Sequence, residues 1–153
     1  MMQLSIFREY AMDNRNALNY VLLTPTSKTQ HTLENVIQTT LRESGLEPLS
    51  AEQNNRTGKR QVGESIKRDI ERADLVIADL TGSNPNVMYE VGYAHALQKS
   101  VLPIISSKNE IPYALVDYQF LVYEQDKPQE LSQNLRTWAN YYLSIKARKL
   151  VNE

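Results

Sequence analysis

The sequence predicts an α/β fold: one three-layer domain, with helices on both faces of a mainly parallel five-stranded sheet. Three observations predict it. Short continuous apolar runs recur along the chain (Tyr20–Leu23, Leu75–Ala78, Val101–Ile105), which is how strands buried on both faces read. Segments with apolar residues at helical spacing lie between them, and strands that alternate with helices imply parallel pairing through crossovers. Right-handed crossovers restrict the topologies, and 2-1-3-4-5 is the order expected for this alternation.

Residues 1–16 form an N-terminal arm in this reading, and 17–153 form the domain. The arm holds apolar Leu4, Ile6 and Phe7, then a polar connector from Asp13 to Asn16. It fits either a segment docked on the core or on a partner subunit, or a partly ordered tail. The first strand is Tyr20-Val21-Leu22-Leu23, stopped by Pro25. Thr26, Ser27 and Thr29 supply caps for a helix whose face is Leu33, Val36, Ile37, Thr40 and Leu41, with Gly45 as its stop. Leu46 to Ala51 is a weak strand, and Pro48 places it at a sheet edge. Gln53 to Lys59 is a polar loop. Val62, Ile66 and Ile70 then mark a helix from about Arg60 to Ala73. Asp74 to Leu80 is the strongest strand, with an apolar centre and an Asp near each end. A turn over Thr81 to Asn86 follows, and Asn84-Pro85 is a cap and first-turn pair for a helix from Pro85 to about Gln98. Val101–Ile105 is a buried strand, Lys108–Tyr118 a long loop, and Phe120–Tyr123 a last short strand. Leu131, Leu135, Trp138, Tyr142 and Ile145 step by four and three, which gives a long C-terminal amphipathic helix. Its stripe fits a core-packing face better than a partner seam.

Composition narrows the function classes. At 153 residues the chain matches one domain, long enough to bury about 70% of its unfolded surface. With no cysteine there is no disulfide scaffold, thiol nucleophile or cysteine zinc site. A formal charge of −1 provides no general field for nucleic acid or an anionic membrane, so neither is expected as a partner. No apolar window approaches a bilayer span, and Arg8 and Glu9 fall where a signal peptide would have its apolar run. A cytoplasmic protein is expected, with no metal and no cofactor.

In an open α/β sheet, ligands bind beyond the carboxyl ends of the strands, at the switch in strand order. Two segments meet that description: Thr24-Pro25-Thr26-Ser27-Lys28 and the stretch from Asp79 to Glu90. Thr24, Thr26, Ser27 and Lys28 offer hydroxyls, amides and a cation for a phosphate, although plain helix capping explains Thr26 and Ser27 equally well. No phosphate-binding GxxxxGK[ST] is present. Asp79 ends its strand and points either into the crevice or onto loop amides. Free amides at the helix start near Asn84 and Asn86 would suit an anion. Glu90 has two readings on position alone. One is a solvated carboxylate favoured by the helix dipole. The other is a half-sheltered carboxylate fixed beside the buried stripe of Val87, Val91 and Ala94, a place for a nucleophile.

The segment Ala73-Asp74-Leu75-Val76-Ile77-Ala78-Asp79-Leu80-Thr81, followed by Asn84-Pro85-Asn86-Val87-Met88-Tyr89-Glu90-Val91-Gly92-Tyr93-Ala94-His95-Ala96-Leu97, resembles the signature of nucleoside 2-deoxyribosyltransferase-like proteins. These share a flavodoxin-like fold with Toll/interleukin-receptor (TIR) domains and their bacterial relatives, many of which act on NAD. The resemblance is densest over residues 73–105 and looser from Tyr20 to Tyr123. It implies that Glu90 attacks C1′ of a ribosyl group, the base departs, and water or another base resolves a covalent glycosyl-enzyme. That is retaining-glycosidase chemistry. Asp79 is the second catalytic candidate, as an acid if burial raises its pKa, although hydrogen bonding to a sugar or a loop amide is its first reading; Gly82, Asn84, Asn86, Tyr89 and Tyr93 are expected as substrate-binding residues. Gly92 and Ala94 would leave room for the sugar. A nucleoside, nucleotide or NAD is the expected small-molecule partner, in a homo-oligomer. One departure stands out. The transferases carry a carboxylate six residues before the nucleophile to help protonate the base, and this chain has Asn84 there. An amide cannot readily protonate a base, whereas nicotinamide leaves NAD neutral and needs no acid. The departure also suits a module that binds a nucleotide without turnover.

Other candidates have simpler explanations. His95 lies five residues after Glu90, on another side of the helix, and reads as a packed or surface histidine. His31 is isolated, so no histidine metal site is expected. Arg56, Lys59 and Arg60 form a small basic loop, and Tyr113, Asp117 and Tyr118 lie in the long loop after the fourth strand.

Overall fold

The computed structural model describes residues 17–25, 31–49, 59–106 and 111–151. The arm over residues 1–16, and the candidates Thr26, Ser27, Lys28 and Arg56, lie outside the described residues. Five strands, β1 (Leu18–Leu23), β2 (Leu46–Pro48), β3 (Leu75–Asp79), β4 (Ser100–Ile105) and β5 (Leu121–Val122), alternate with four helices, α1 (His31–Glu43), α2 (Lys59–Arg72), α3 (Pro85–Ala96) and α4 (Pro128–Val151). The sheet order is β2-β1-β3-β4-β5, as the alternation predicts, and every described pair is parallel.

The side-chain period of two divides β3 between two cores. Leu75 and Ile77 face one layer with Ile37 and Leu41 of α1 and Leu131, Leu135 and Ala139 of α4. Val76 and Ala78 face the other, with Ile70 of α2 and Val87, Val91 and Ala94 of α3. β3 is buried throughout, which explains why its sequence is continuously apolar rather than alternating. The α4 stripe is a core face. Leu131, Leu135, Ala139, Tyr142 and Leu143 are buried, and Trp138 packs half-buried against them.

Two prolines test the topology. Pro48 ends the edge strand β2, which is shorter than the Leu46–Ala51 run expected. Pro103 sits inside β4, opposite Ala78 of β3. Leu80 N–H donates to the Ile104 carbonyl on the β3 side, and Tyr123 N–H donates to the Ile105 carbonyl on the β5 side. Alternation then turns Pro103 toward β5, whose pairing begins opposite Ile104. The donor that proline lacks therefore faces a side with no strand to receive it.

Between β2 and β3, α2 ends on a cation. Lys99 Nζ donates to the carbonyls of Glu71 at 2.7 Å and Ala73 at 3.0 Å, satisfying acceptors a helix end leaves open. No helix of the described residues is long and apolar enough to cross a membrane.

Candidate active site

The switch in strand order falls between β1 and β3, so their carboxyl ends, at Leu23 and Asp79, border the crevice where α/β sheets bind ligands. The chain leaves β3 through one turn of 3-10 helix, Thr81–Ser83. Gly82 (φ 73°) and Ser83 (φ 50°) are successive left-handed residues there. That turn tips the backbone into α3, whose first residue Pro85 has its φ preset for a helix start.

Asn84 caps α3. Its side-chain oxygen accepts from the amides of Asn86 at 2.9 Å and Val87 at 3.3 Å. The sequence suggested free amides for an anion at this helix start; two of them are instead taken by Asn84. Asn86 itself is exposed.

Glu90 stands one turn further on, half-buried beside Val87 and Ala94. Among the described residues it has no hydrogen-bond or ion-pair partner. Burial alone lifts its pKa from 4.5 to about 7. The carboxyl is therefore poised near neutrality, with its oxygens uncommitted among the described residues.

Asp79 has a different environment. It is 0% exposed. Its Oδ1 accepts from the Thr81 amide at 3.0 Å, and its Oδ2 accepts from the Tyr123 hydroxyl at 3.0 Å. Of the two orientations open from sequence, the carboxylate takes the one that holds the loop. Tyr123 is itself buried. Its hydroxyl pKa is pushed up to about 12, by burial first, with the Thr81 hydrogen bond opposing and Asp79 adding to the rise.

The pocket residues expected on α3 divide between environments. Tyr89 and Tyr93, one turn apart, both face α2, where Lys67 Nζ lies 5.6 Å from the Tyr89 ring centre and 5.8 Å from that of Tyr93. The Tyr93 hydroxyl donates to Glu71 at 2.5 Å, and this bond, ahead of burial, raises its pKa. Gly92 is exposed, and a Cβ there would meet nothing within 4 Å, whereas Ala94 is buried in the core. At the end of β1, the Thr24 hydroxyl donates to Glu34 of α1 at 2.8 Å, tying the strand end to a helix start.

His95 is on another side of α3. Its ring stacks on Tyr118 at 4.7 Å, its Nε2 is buried without a hydrogen-bond partner among the described residues, and burial lowers its pKa. It is a packed histidine that anchors the segment after β4. Sequence reasoning passed over Thr81, Lys67 and Glu71 and treated Tyr123 as a strand end. Tyr123 and Asp79 are 44 residues apart, and no local pattern signals their contact. No group of three or more acidic or histidine side chains among the described residues could hold a metal.

The sequence profile described as nucleoside 2-deoxyribosyltransferase matches residues 22–136. A CMP N-glycosidase of Clostridium botulinum superposes with a TM-score of 0.62 at 22% identity, covering 78% of this chain and 98% of that one. A 2-deoxyribosyltransferase of Bacillus psychrosaccharolyticus gives 0.54 at 17%, covering 71% and 88%. A TIR domain of a Toll-related receptor of Hydra magnipapillata gives 0.57 at 18%, covering 79% and 96%. At such identities these likenesses establish the fold. A sequence comparison with curated proteins finds no match. The matched segment runs from β1 into α4 and includes the whole Asp79–Glu90 stretch; the chain belongs to the nucleoside 2-deoxyribosyltransferase family.

Proposed function

We propose that this protein cleaves or transfers the N-glycosidic bond of a nucleoside or nucleotide through a covalent intermediate on Glu90. One observation carries the reading: a half-buried carboxylate without a partner among the described residues, fixed on α3 beside the switch point. A carboxylate that is poorly solvated and uncommitted is a better nucleophile than one already hydrogen-bonded. A Glu90 oxygen forms a bond to C1′ while the C1′–N bond breaks and its electron pair leaves with the base. Water, or the nitrogen of a second base, then attacks C1′ and releases Glu90. Inversion twice gives overall retention.

Asp79 in this reading holds the loop rather than donating a proton, since both its oxygens already accept hydrogen bonds in a site closed to solvent. Asn84 has its oxygen committed to the helix start. These two observations favour, as a second reading, substrates whose base departs without a proton, NAD among them. A CMP N-glycosidase shares the fold, so nucleoside monophosphates belong in the test as well.

The test is incubation with nucleosides, nucleoside monophosphates and NAD, followed by chromatography for released base, beside Glu90→Gln. Release that the variant loses, with a glycosyl adduct in the intact mass of the quenched wild type, supports the proposal. Equal turnover by the variant removes Glu90 from the mechanism. Tight binding with no release identifies a nucleotide-binding module.

The homo-oligomer belongs to the same proposal. Exposed Tyr89, Gly92 and Ala96 share one side of α3, and exposed Leu97 follows its end, which supports contact with a second copy. Sedimentation of the full chain tests it.

A further inference from the structure

We propose that Tyr123 is a positioning residue for base release: its hydroxyl fixes the turn between β3 and α3 that sets where Glu90 stands. This inference rests on the role given to Glu90 above.

The hydrogen-bond directions follow from counting protons. Ser106 N–H donates to Thr81 Oγ1 at 3.0 Å. Thr81 Oγ1 and Tyr123 Oη are 3.1 Å apart, with either able to donate. Tyr123 has one hydroxyl proton, and the buried Asp79 Oδ2 at 3.0 Å takes it. Thr81 must then donate to Tyr123. The chain runs one way, from the Ser106 amide through Thr81 and Tyr123 to the Asp79 carboxylate, which also holds the Thr81 amide at 3.0 Å. Each link strengthens the next in a buried setting. Three strand ends meet in it: Asp79 of β3, Ser106 after β4 and Tyr123 after β5.

The turn just beyond Thr81 needs such an anchor. Ser83, a residue with a Cβ, stands at φ 50° directly after Gly82 at φ 73°. A non-glycine residue holds that conformation only where its surroundings over-determine it. Thr81 is fixed through both its amide and its hydroxyl, and Ser83 N–H closes back on the Leu80 carbonyl at 3.0 Å. α3 begins at Pro85, so the geometry of this turn is carried directly into the helix and to Glu90. Tyr123 has one further connection. It follows the segment whose Tyr118 stacks on His95, so residues 111–123 hold α3 both at its start and along its flank.

Tyr123→Phe keeps the ring in its buried site and removes only the hydroxyl. Three measurements are made on the folded full chain: kcat and KM for base release, thermal unfolding, and titration of the Glu90 carboxyl by carbon-13 NMR. A positioning role lowers kcat about 10- to 100-fold with KM changed by less than about twofold, because a displacement near 1 Å at a reacting centre costs that much. It also moves the Glu90 titration midpoint by about half a unit or more, since its burial changes. Lower thermal stability with kcat and the Glu90 midpoint unchanged would make Tyr123 a packing residue and overturn the proposal. Thr81→Val, which removes the donor to Tyr123 and leaves the Tyr123–Asp79 bond, serves if the first variant does not fold, with the same outcomes. Should the wild type release no base from any substrate, the role of Glu90 fails while the NMR titration still judges whether Tyr123 places it.

Discussion

Asn84 accepts the backbone amide of Asn86 at 2.9 Å with the side-chain oxygen that a pocket reading would reserve for a base. The same oxygen accepts from Val87 N–H at 3.3 Å, so Asn84 is first of all the cap of the helix that carries Glu90. Asn84→Ala is expected to lose about 1 kcal/mol of stability, the usual value of such a cap. Asn84→Asp keeps the cap and adds a favourable charge at the helix start, for a gain of about 0.3–1 kcal/mol. Chemical denaturation of the three proteins at neutral pH checks both signs. On the proposed chemistry, Asn84→Asp also places an acid near the departing base. Release from ordinary nucleosides then rises relative to release from NAD, and an unchanged ratio would show that Asn84 is remote from the base.

Glu90 must be ionised to attack, and its pKa is about 7. The rate of base release is expected to climb as pH rises through about 7 and to level off above it. The acid limb of kcat/KM measures this in the free enzyme. A limb centred near the ordinary glutamate value of 4.5 would mean a fully solvated carboxyl.

The same group has an opposite effect on stability. Its folded pKa, about 7, exceeds the unfolded 4.5, so folding favours the protonated form. Its contribution is fully present below pH 4.5 and is lost as pH rises through about 7. Glu90→Gln is therefore expected to match the wild type near pH 4 and to exceed it above pH 7. Discounted for a half-exposed group, the gain is about 1 kcal/mol, or roughly 2–4 °C in Tm. Paired thermal scans at the two pH values read the difference. The variant should at the same time lose roughly 10³-fold or more in turnover. Higher stability with lost activity separates a functional carboxylate from a merely structural one.

Lys99 holds the last carbonyls of α2 through Glu71 and Ala73. Lys99→Met retains most of the stem and removes the charge. The expected cost is about 1 kcal/mol, and it should shrink little in high salt because these are hydrogen bonds rather than a distant charge pair. Urea denaturation at two salt concentrations decides between the two.

The order of elements was legible in the chain for a physical reason. Strands buried on both faces must be continuously apolar, and helices on a sheet must show a stripe, so Leu75–Ala78 and Leu131–Tyr142 announce themselves locally. Boundaries were less legible. β1 begins at Leu18, two residues before the apolar run, because sheet pairing with Leu46 extends it. The Asn84-Pro85 helix start was also readable, since capping is chemistry between near neighbours.

By itself, then, the amino-acid order determined the parallel sheet, the position of α3 at the switch point and the presence of Glu90 on it. The tertiary structure decided what surrounds each acidic side chain. Asp79 and Glu90 are eleven positions apart and chemically alike, yet one is closed in by Tyr123 and Thr81 and the other left half-buried without a partner among the described residues. Charge state and reactivity depend on solvent and partners within a few ångströms, and those neighbours come from residues far away along the chain.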